Sequence, residues 1–228
     1  MILATHQPLF LPWPGFFYKA LHADCLVLLD EVQFPRGRGW MSRNRLKSEQ
    51  GELWLTVPVY RKGRNLQLIS DVEIAYETDW RRRHEKGIEQ NYIHAPYFEE
   101  LFPEILSIYK KSHRKLVSLN VELIRFLWDA LSLNKKFLLQ SDLGITGRGT
   151  DLLIEICKKL HVREYLAFRA AEKYLDQELF TQSGIKLKYT DFNPPVYPQL
   201  WGDFIYNLSA LDLLLNCGLK SSRIISGS

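Results

Sequence analysis

Two polar side chains that are capable of acid–base chemistry follow two short apolar runs near the start of the chain. His6 comes after the run Ile2–Thr5, and Asp30 comes after the run Cys25–Leu29. An imidazole can act as a general base or as a donor to a transition state, and a carboxylate can bind Mg²⁺ or a ribose hydroxyl. Either residue alone has a structural alternative, because a histidine in a loop or an aspartate after a strand often caps neighbouring backbone. Together they favour a catalytic site.

Other hydrogen-bonding and aromatic residues follow the same two runs. Their density exceeds what turns require and is typical of a ligand pocket. Arg43 and Arg45 flank Asn44, and two guanidinium groups at such a point can bind a diphosphate in bidentate fashion. The charged segment around His84 is more often a solvated helix face, but His84 stays a candidate. The substrate- or nucleotide-binding residues predicted in this way are Gln7, Gln33, Trp40, Arg43, Asn44, Arg45 and His84.

A strand–helix–strand unit is expected to position these residues. Pro14 suits the first turn of a helix, and apolar residues then recur at three- and four-residue spacing up to Leu21. Two strands joined by such a crossover helix pair in parallel, and ligands bind beyond the carboxyl ends of parallel strands. His6 and Asp30 are therefore predicted to lie at one edge of a sheet, less than roughly 10 Å apart.

The later part of the chain alternates between strand and helix patterns. The predicted fold class is α/β, with a mainly parallel, doubly wound (Rossmann-like) sheet and flanking helices. We interpret residues 1–228 as a single α/β domain that carries an inserted lobe, rich in aromatic residues and arginine, at about 35–98. The predicted elements are a strand at Leu53–Val59, two helices between 98 and 131, a strand at Phe137–Gln140, a helix at Thr150–Leu160, a strand at Tyr165–Ala167, a helix at Glu172–Gln182, a strand at Ile185–Tyr189 and a helix at Asn207–Asn216.

Positive charge is concentrated in the inserted lobe but not in the chain as a whole. The chain has 30 Lys and Arg against 26 Asp and Glu, a net charge of +4. This balance disfavours a protein that binds duplex nucleic acid and suits one that binds small anions. The lobe is interpreted either as a solvated basic surface or as a clamp for phosphate. Its basic residues are Arg36, Arg38, Arg43, Arg45, Arg61, Lys62 and Arg64.

Gly144–Thr150 (GITGRGT) precedes a predicted helix and offers backbone N–H groups that can bind an anion. The lysine of a P-loop is missing from it. Thr150 and Asp151 are also suitable residues for capping the helix, so the capping and the anion-binding interpretations both stay open.

The three cysteines lie far apart, each within an apolar run, and no spacing typical of a zinc site is present. They are predicted to be buried thiols of a reducing compartment. No apolar run reaches the length of a membrane span, and no secretion signal is recognised. The expected location is therefore the cytoplasm.

Several motifs of the chain resemble the WbqC-like protein family of bacteria. Proteins of this family are encoded in many O-antigen and surface-polysaccharide clusters, so the resemblance implies a role around amino sugars. The matching motifs also add Trp13, Lys19, Asn91, Tyr92, Tyr197 and Gln199 to the predicted binding residues. They are HQP at 6–8, LPWPGFFYKA at 11–20, ADCLVLLDEVQF at 23–34, SRNR at 42–45, WLTVPV at 54–59, KG at 62–63, NY at 91–92, APYF at 95–98, YPQLWGDF at 197–204 and LSALDLLLNCG at 208–218.

The first strand–helix–strand unit is also similar, more distantly, to that of pantothenate synthetase-type nucleotidyltransferases. Those enzymes activate a carboxylate as an adenylate and pass it to an amine. Their motif carries two histidines around a glycine, whereas the comparable turn here reads Trp13–Phe16 (WPGF), with His6 before it. This likeness implies ATP and Mg²⁺ as the cofactors of an adenylate route.

Three functional hypotheses follow. The first is a transferase or ATP-dependent amide-forming ligase that moves an aminoacyl group, such as glycyl, onto a nucleotide-linked amino sugar. The second is a non-catalytic module that binds a nucleotide sugar or a partner enzyme of the same pathway. The third, a nucleic-acid-binding protein, is disfavoured by the small net charge. The predicted partner is thus a small-molecule substrate, without nucleic acid or a membrane span, and the oligomeric state stays open.

Overall fold

The computed structural model describes residues 1–227 except Arg38, Lys62 and Asn65. Arg38 and Lys62 of the predicted basic lobe thus lie outside the described residues. The strands are β1 (Ile2–His6), β2 (Cys25–Leu28), β3 (Arg43–Ser48), β4 (Gly51–Thr56), β5 (Lys136–Leu139), β6 (Glu164–Phe168) and β7 (Lys186–Thr190). The α-helices are α1 (Pro14–Leu21), α2 (Trp80–Tyr92), α3 (Phe98–Lys110), α4 (Leu116–Ala130), α5 (Gln140–Leu143), α6 (Gly149–Lys159), α7 (Gln177–Gln182), α8 (Ala210–Cys217) and α9 (Ser221–Ser226).

The chain forms two compact units. The first, which we call the sheet unit, comprises Met1–Gln7, Gly15–Gln33 and Asn134–Asn193. The second, which we call the helical unit, comprises the three segments Pro8–Pro14, Phe34–Leu133 and Pro194–Ser228. The predicted inserted lobe falls within the long middle segment of the helical unit.

A five-stranded parallel sheet in the order β5-β2-β1-β6-β7 forms the centre of the sheet unit. Helices flank it, so the predicted Rossmann-like α/β fold class is confirmed. β2 and β5 lie on one side of β1, and β6 and β7 lie on the other, so the chain crosses to the other side of β1 between β5 and β6. In sheets of this kind ligands bind at the carboxyl ends of the two strands where the order reverses, which here are β1 and β6. β2 reads as a continuous apolar run because all four of its residues are buried.

The pairing of β1 is longer on one side than on the other. Its ladder with β2 continues to His6, opposite Leu28. Its ladder with β6 ends at Ala4, opposite Leu166, although β6 itself continues beside β7 to Phe168. The last residues of β1 and β6 are therefore not paired with each other.

The helical unit contains the antiparallel hairpin β3–β4 and the helices α2, α3, α4, α8 and α9. The sequence did not predict β3, and it placed the second strand at Leu53–Val59, whereas β4 spans Gly51–Thr56. Pro58 lies beyond the end of β4, as expected for a residue that cannot donate a ladder hydrogen bond.

One predicted helix of the sheet unit is divided in two. The range Glu172–Gln182 holds the end of a short 3₁₀ helix at Arg169–Tyr174 and the whole of α7. Asp176 causes the division, because its side chain accepts a hydrogen bond from the N–H of Leu179 at 3.0 Å and caps α7 from outside the helix.

Gly218 ends α8 with a φ of +52°. A Cβ built at this position would lie 2.2 Å from a ring carbon of Tyr97. The backbone of the helix end therefore packs directly against an aromatic ring of the same unit.

The three cysteines are buried and free, as predicted. Among the described residues, none of the helices combines the length and the apolar character that crossing a bilayer requires.

Asn120, which is fully buried in α4, fixes two loop segments of the helical unit. Its amide donates to the carbonyl oxygens of Pro8 at 2.7 Å and of Met41 at 2.8 Å. Asn120→Leu keeps the side-chain volume but leaves both carbonyls without a donor, so we expect a loss of about 1–3 kcal/mol in the free energy of unfolding. Urea denaturation measures this loss. The exposed Asn134 supplies the control, since Asn134→Leu should change stability by less than about 0.5 kcal/mol; equal effects of the two substitutions would contradict the assignment.

Candidate functional site

His6 and Asp30 lie at the same edge of the sheet, as predicted. His6 is the last residue of β1, and its carbonyl accepts a hydrogen bond from the N–H of Leu29 at 2.8 Å. Asp30 follows that residue at the carboxyl end of β2. Adjacent strands are about 4.8 Å apart, so both residues belong to one end of one strand pair.

The His6 ring is neutral and its tautomer is fixed. Nδ1 lies 3.0 Å from the carbonyl oxygen of Gln7, which can only accept, so Nδ1 carries the proton and Nε2 carries the lone pair. Burial, with a smaller contribution from the charge of Lys19, lowers the pKa of His6 to about 3. The ring of Phe16 meets the imidazole edge to face, at a centroid distance of 4.9 Å. His6 therefore offers a hydrogen-bond acceptor of fixed orientation at neutral pH.

Lys19 of α1, one of the predicted binding residues, reaches the same edge of the sheet. It is only 6% exposed, and its ammonium donates to the carbonyl of Thr5 at 2.6 Å. The ammonium also lies 4.9 Å from the centre of the Phe168 ring at the end of β6. Burial lowers the pKa of Lys19 to about 7, which brings its change of charge into the neutral range.

Asp30 makes contacts that hold the sheet edge together. It is 2% exposed, and its two carboxylate oxygens accept from Ser141, one from the backbone N–H at 3.0 Å and one from the hydroxyl at 2.6 Å. Ser141 belongs to the first turn of α5, where a carboxylate is favourable. The carboxylate thus links the end of β2 to the helix that follows the neighbouring strand β5.

A separate cavity of about 340 Å³ lies within the helical unit. It brings together four residues that the sequence predicted for binding. Two residues that the sequence did not predict, Leu9 and Asn207, complete the lining. The predicted residues that line the cavity are Trp13, Trp40, Asn44 and Arg45.

Two exposed indoles stand beside this cavity. Trp40 is 47% exposed and Trp54 is 39% exposed, and their rings stack with centroids 5.7 Å apart. The guanidinium of Arg43 lies 4.2 Å from the centre of the Trp54 ring, and that of Arg45 lies 5.9 Å from the Trp40 ring. Exposed aromatic faces next to guanidinium groups are suited to planar or ring-shaped polar ligands.

Asn44, which lines the cavity, also forms hydrogen bonds with the backbone of neighbouring segments. Its amide donates to the carbonyl oxygen of Leu11 at 2.7 Å, and its own oxygen accepts from the N–H of Arg45 at 2.8 Å. Leu11 has a φ of +42°, and Asn207, on the cavity lining, has a φ of +56°. Positive φ in residues other than glycine clusters at functional sites, and asparagine adopts it at a lower cost than leucine.

Tyr92 and Tyr197, both predicted to bind substrate, instead donate to a carboxylate that the sequence did not single out. Asp212 is fully buried; the Tyr92 hydroxyl donates to one of its oxygens, and the Tyr197 hydroxyl donates to the other at 2.7 Å. Burial raises the pKa of Asp212, and the two hydroxyls oppose that effect. Asp212 is the third residue of α8 and lies within the apolar run LSALDLLLNC. An acidic residue inside such a run is expected to be buried and to need hydrogen-bond partners, so the sequence could have identified it.

The other predicted binding residues are placed as follows. Gln199 exchanges two hydrogen bonds with the backbone of Ile205, and Asn91 donates to Gly87 at 2.8 Å, so both stabilise local backbone. Gln33 is exposed, and Gln7 contributes its carbonyl oxygen to His6. None of these four lines the 340 Å³ cavity.

His84 lies in the interior of the helical unit and is 4% exposed. Its Nε2 is 3.1 Å from the carbonyl of Thr56 and therefore carries the proton, and its Nδ1 accepts from the Tyr109 hydroxyl at 3.3 Å. Burial lowers the pKa of His84 to about 3. Both ring nitrogens thus have partners within the core.

In the part of the chain that the structure describes, no group of three or more His, Cys, Asp or Glu side chains is placed to hold a metal ion. Each of the two carboxylate oxygens of Asp30 accepts one hydrogen bond from Ser141. In the first turn of α6, the hydroxyl of Thr150 accepts from the N–H of Asp176 at 3.0 Å, which gives this residue a structural role.

Comparison with known proteins identifies relatives over nearly the whole chain. The profile of the WbqC-like protein family matches residues 7–224. A Mycobacterium tuberculosis protein described as "Uncharacterized protein Rv1507c" is 32% identical over 221 residues, which cover 96% of this chain and 95% of that protein. No solved structure matches the chain.

The low pKa of His84 makes stability depend on pH in a defined direction. Its folded pKa of about 3 lies below the ordinary value of 6.5, so the unfolded chain binds more protons between these values. The stabilisation is complete above pH 6.5 and is lost as the pH falls towards 3, by up to about 1.4 kcal/mol per pH unit for this residue. Denaturation curves recorded between pH 7 and pH 4 should therefore show a shallower decline for His84→Gln than for the unmodified protein. Parallel declines would show that His84 is protonated in the folded state.

Proposed function

The chain belongs to the WbqC-like protein family, and from that premise we propose that it is an enzyme that acylates an amino sugar in surface-polysaccharide biosynthesis. The reaction is the transfer of an aminoacyl group, such as glycyl, to the amine of a nucleotide-linked sugar. The observation that carries this proposal is the neutral imidazole of His6, held with its lone pair on Nε2 at the carboxyl edge of a parallel sheet. The proposal assumes the cytoplasmic location predicted from the three thiols.

In this proposal His6 positions the amine and takes up its proton, and because burial lowers the pKa of the ring to about 3, this transfer is coupled to the charge that develops on the leaving oxygen. The Nε2 lone pair accepts an N–H hydrogen bond from the sugar amine and so directs the amine lone pair at the acyl carbonyl carbon. The C–N bond forms, the bond from that carbon to the leaving oxygen breaks, and the amine proton moves to Nε2. The negative charge that develops on the leaving oxygen favours the protonated ring. The fixed tautomer supports a role as acceptor rather than as donor to the transition state.

The acyl donor could be an adenylate, which would require ATP and Mg²⁺. Because the carboxylate of Asp30 is engaged by Ser141, we assign it the positioning of the sheet edge and derive no step through a protein-held metal. An adenylate supplies a good leaving group, and the chain then has to provide only the base and the binding of the two reactants.

The cavity of the helical unit, taken by itself, is suited to a sugar ring or a nucleotide base. The stacked, partly exposed rings of Trp40 and Trp54 present apolar surface for a sugar ring or a base, and the guanidinium of Arg45 lines the same cavity. This feature also favours a second candidate function, a non-catalytic module that binds a nucleotide sugar for a partner enzyme. The module would need the cavity but not His6.

One assay separates these candidates. The purified protein is incubated with ATP, Mg²⁺, a panel of amino acids and a panel of nucleotide-linked amino sugars, and pyrophosphate, AMP, ADP and N-acylated sugar are measured separately. Pyrophosphate and AMP together with acylated sugar indicate an adenylate route, and ADP indicates an acyl phosphate. Binding of the nucleotide sugar without any of these products supports the module.

The His6→Ala variant tests the assignment of the base. Loss of proton transfer should lower the turnover number by on the order of 10²-fold or more, while the affinity for the nucleotide sugar changes little. His22→Ala, at an exposed residue directly after α1, is the matched control and should keep full turnover. A His6→Ala protein whose turnover per folded molecule is unchanged, with only its melting temperature lowered, would rule out the catalytic role.

A further inference from the structure

The unequal pairing of β1 leaves one backbone acceptor without a strand partner at the point where β1 and β6 part. Successive carbonyls along a strand point to opposite neighbours. Because the carbonyl of His6 points to β2, where it accepts from Leu29, the carbonyl of Thr5 points to the β6 side. The ladder with β6 has ended at Ala4, and Lys19 donates to the Thr5 carbonyl in place of a strand.

The ammonium of Lys19 is buried without a counter-charge. Among the described residues it has one hydrogen-bond acceptor, the Thr5 carbonyl, and no carboxylate lies within ion-pair distance of it. An ammonium has three N–H donors, so two of them have no acceptor among the described residues. Buried charges in folded proteins are paired, because removing an unpaired charge from water is costly. The Phe168 ring at 4.9 Å compensates for only a small part of that cost.

We propose that Lys19 binds an anionic group of the substrate, a phosphate or a carboxylate, in the gap between the carboxyl ends of β1 and β6. The bound anion is the missing counter-charge of the ammonium. This inference rests on the proposed function in taking the sheet edge as the substrate site, and it deepens that function by naming the charge of the substrate. Binding of an anion does not require acyl transfer, so the two proposals can fail separately.

Anion binding at this place is coupled to protonation. The free protein holds the pKa of Lys19 at about 7, and an anion in contact with the ammonium raises it, so the anion binds together with a proton above that pH. His6 stays neutral down to about pH 3, and burial raises the pKa of Tyr165 on β6, so neither residue changes charge near neutrality. Other titratable or charged groups of the adjoining elements include Tyr18 of α1, His22 directly after α1, Glu164 of β6, which is paired with Lys188, and the ion pair of Arg169 with Asp191.

Sulfate and acetate are suitable probes, because neither changes its charge between about pH 6 and about pH 9. The melting temperature of the full-length protein is measured against each anion at constant ionic strength, adjusted with chloride. We expect at least one anion to raise the melting temperature saturably at pH 6.5, and its affinity to fall about tenfold per pH unit above pH 7. A response to sulfate indicates a phosphate group of the substrate, and a response to acetate indicates a carboxylate.

Three variants complete the test. Lys19→Met should lose the response, and Lys19→Arg should keep it without the decline above pH 7, because a guanidinium stays charged. Lys47→Met removes a second buried lysine, which lies in the helical unit, and should keep the response. A merely structural role for Lys19 predicts lower melting temperatures for Lys19→Met but an unchanged response to anions.

The proposal is overturned if neither anion stabilises the unmodified protein beyond its effect on Lys19→Met, or if the response is independent of pH up to 9. It is also overturned if Lys47→Met loses the response together with Lys19→Met. Should Lys19→Met fail to fold, the pH profiles of the unmodified protein and of Lys19→Arg still decide the question. Loss of acyl transfer with an intact anion response would remove the proposed reaction and leave the anion site standing.

Discussion

The early end of the ladder between β1 and β6 is the constraint on which the sheet edge depends. Because the two strands part after Ala4 and Leu166, the Thr5 carbonyl loses a strand partner and must be satisfied in another way. The ammonium of Lys19 satisfies it, and the charge thus brought out of water contributes to the low pKa of His6. The missing strand partner of one carbonyl therefore accounts for the place of the Lys19 ammonium, whose charge adds to the effect of burial on the pKa of His6.

The sequence predicted the sheet unit well because its signals there are local. Short apolar runs marked the buried strands, and the chain order of strand and helix implied parallel pairing, which placed His6 and Asp30 at one edge. What these two residues contact could not be read in the same way. Asp30 meets Ser141, which is 111 positions away along the chain, and no local pattern announces that contact. Lys19 is not one of the apolar residues of α1 and is nevertheless buried, because its ammonium donates a hydrogen bond to the Thr5 carbonyl near the end of β1.

In the helical unit the predictions failed for elements whose sequences are mostly polar although some of their residues are buried. The strand β3 reads RNRLKS and lacks the apolar alternation of a half-buried strand, yet its alternation is real: Asn44 is buried, while Arg43 and Arg45 are partly exposed. The charged helix α2 was interpreted as a solvated face. Its residues Trp80, His84, Ile88 and Tyr92 recur at every fourth position and form the buried stripe. That spacing was visible in the sequence and would have predicted a core position for His84.

The contact between Gly218 and Tyr97 has a consequence for how such chains can diverge. The two residues lie far apart in sequence, but the ring of one occupies the volume that a side chain of the other would need. A replacement at position 218 can be accommodated only after the ring at position 97 has become smaller, whereas the ring can shrink first at the cost of a cavity. Evolution at this pair thus has a preferred order of steps, and homologous chains should show a side chain at the first position only where the second is no longer aromatic.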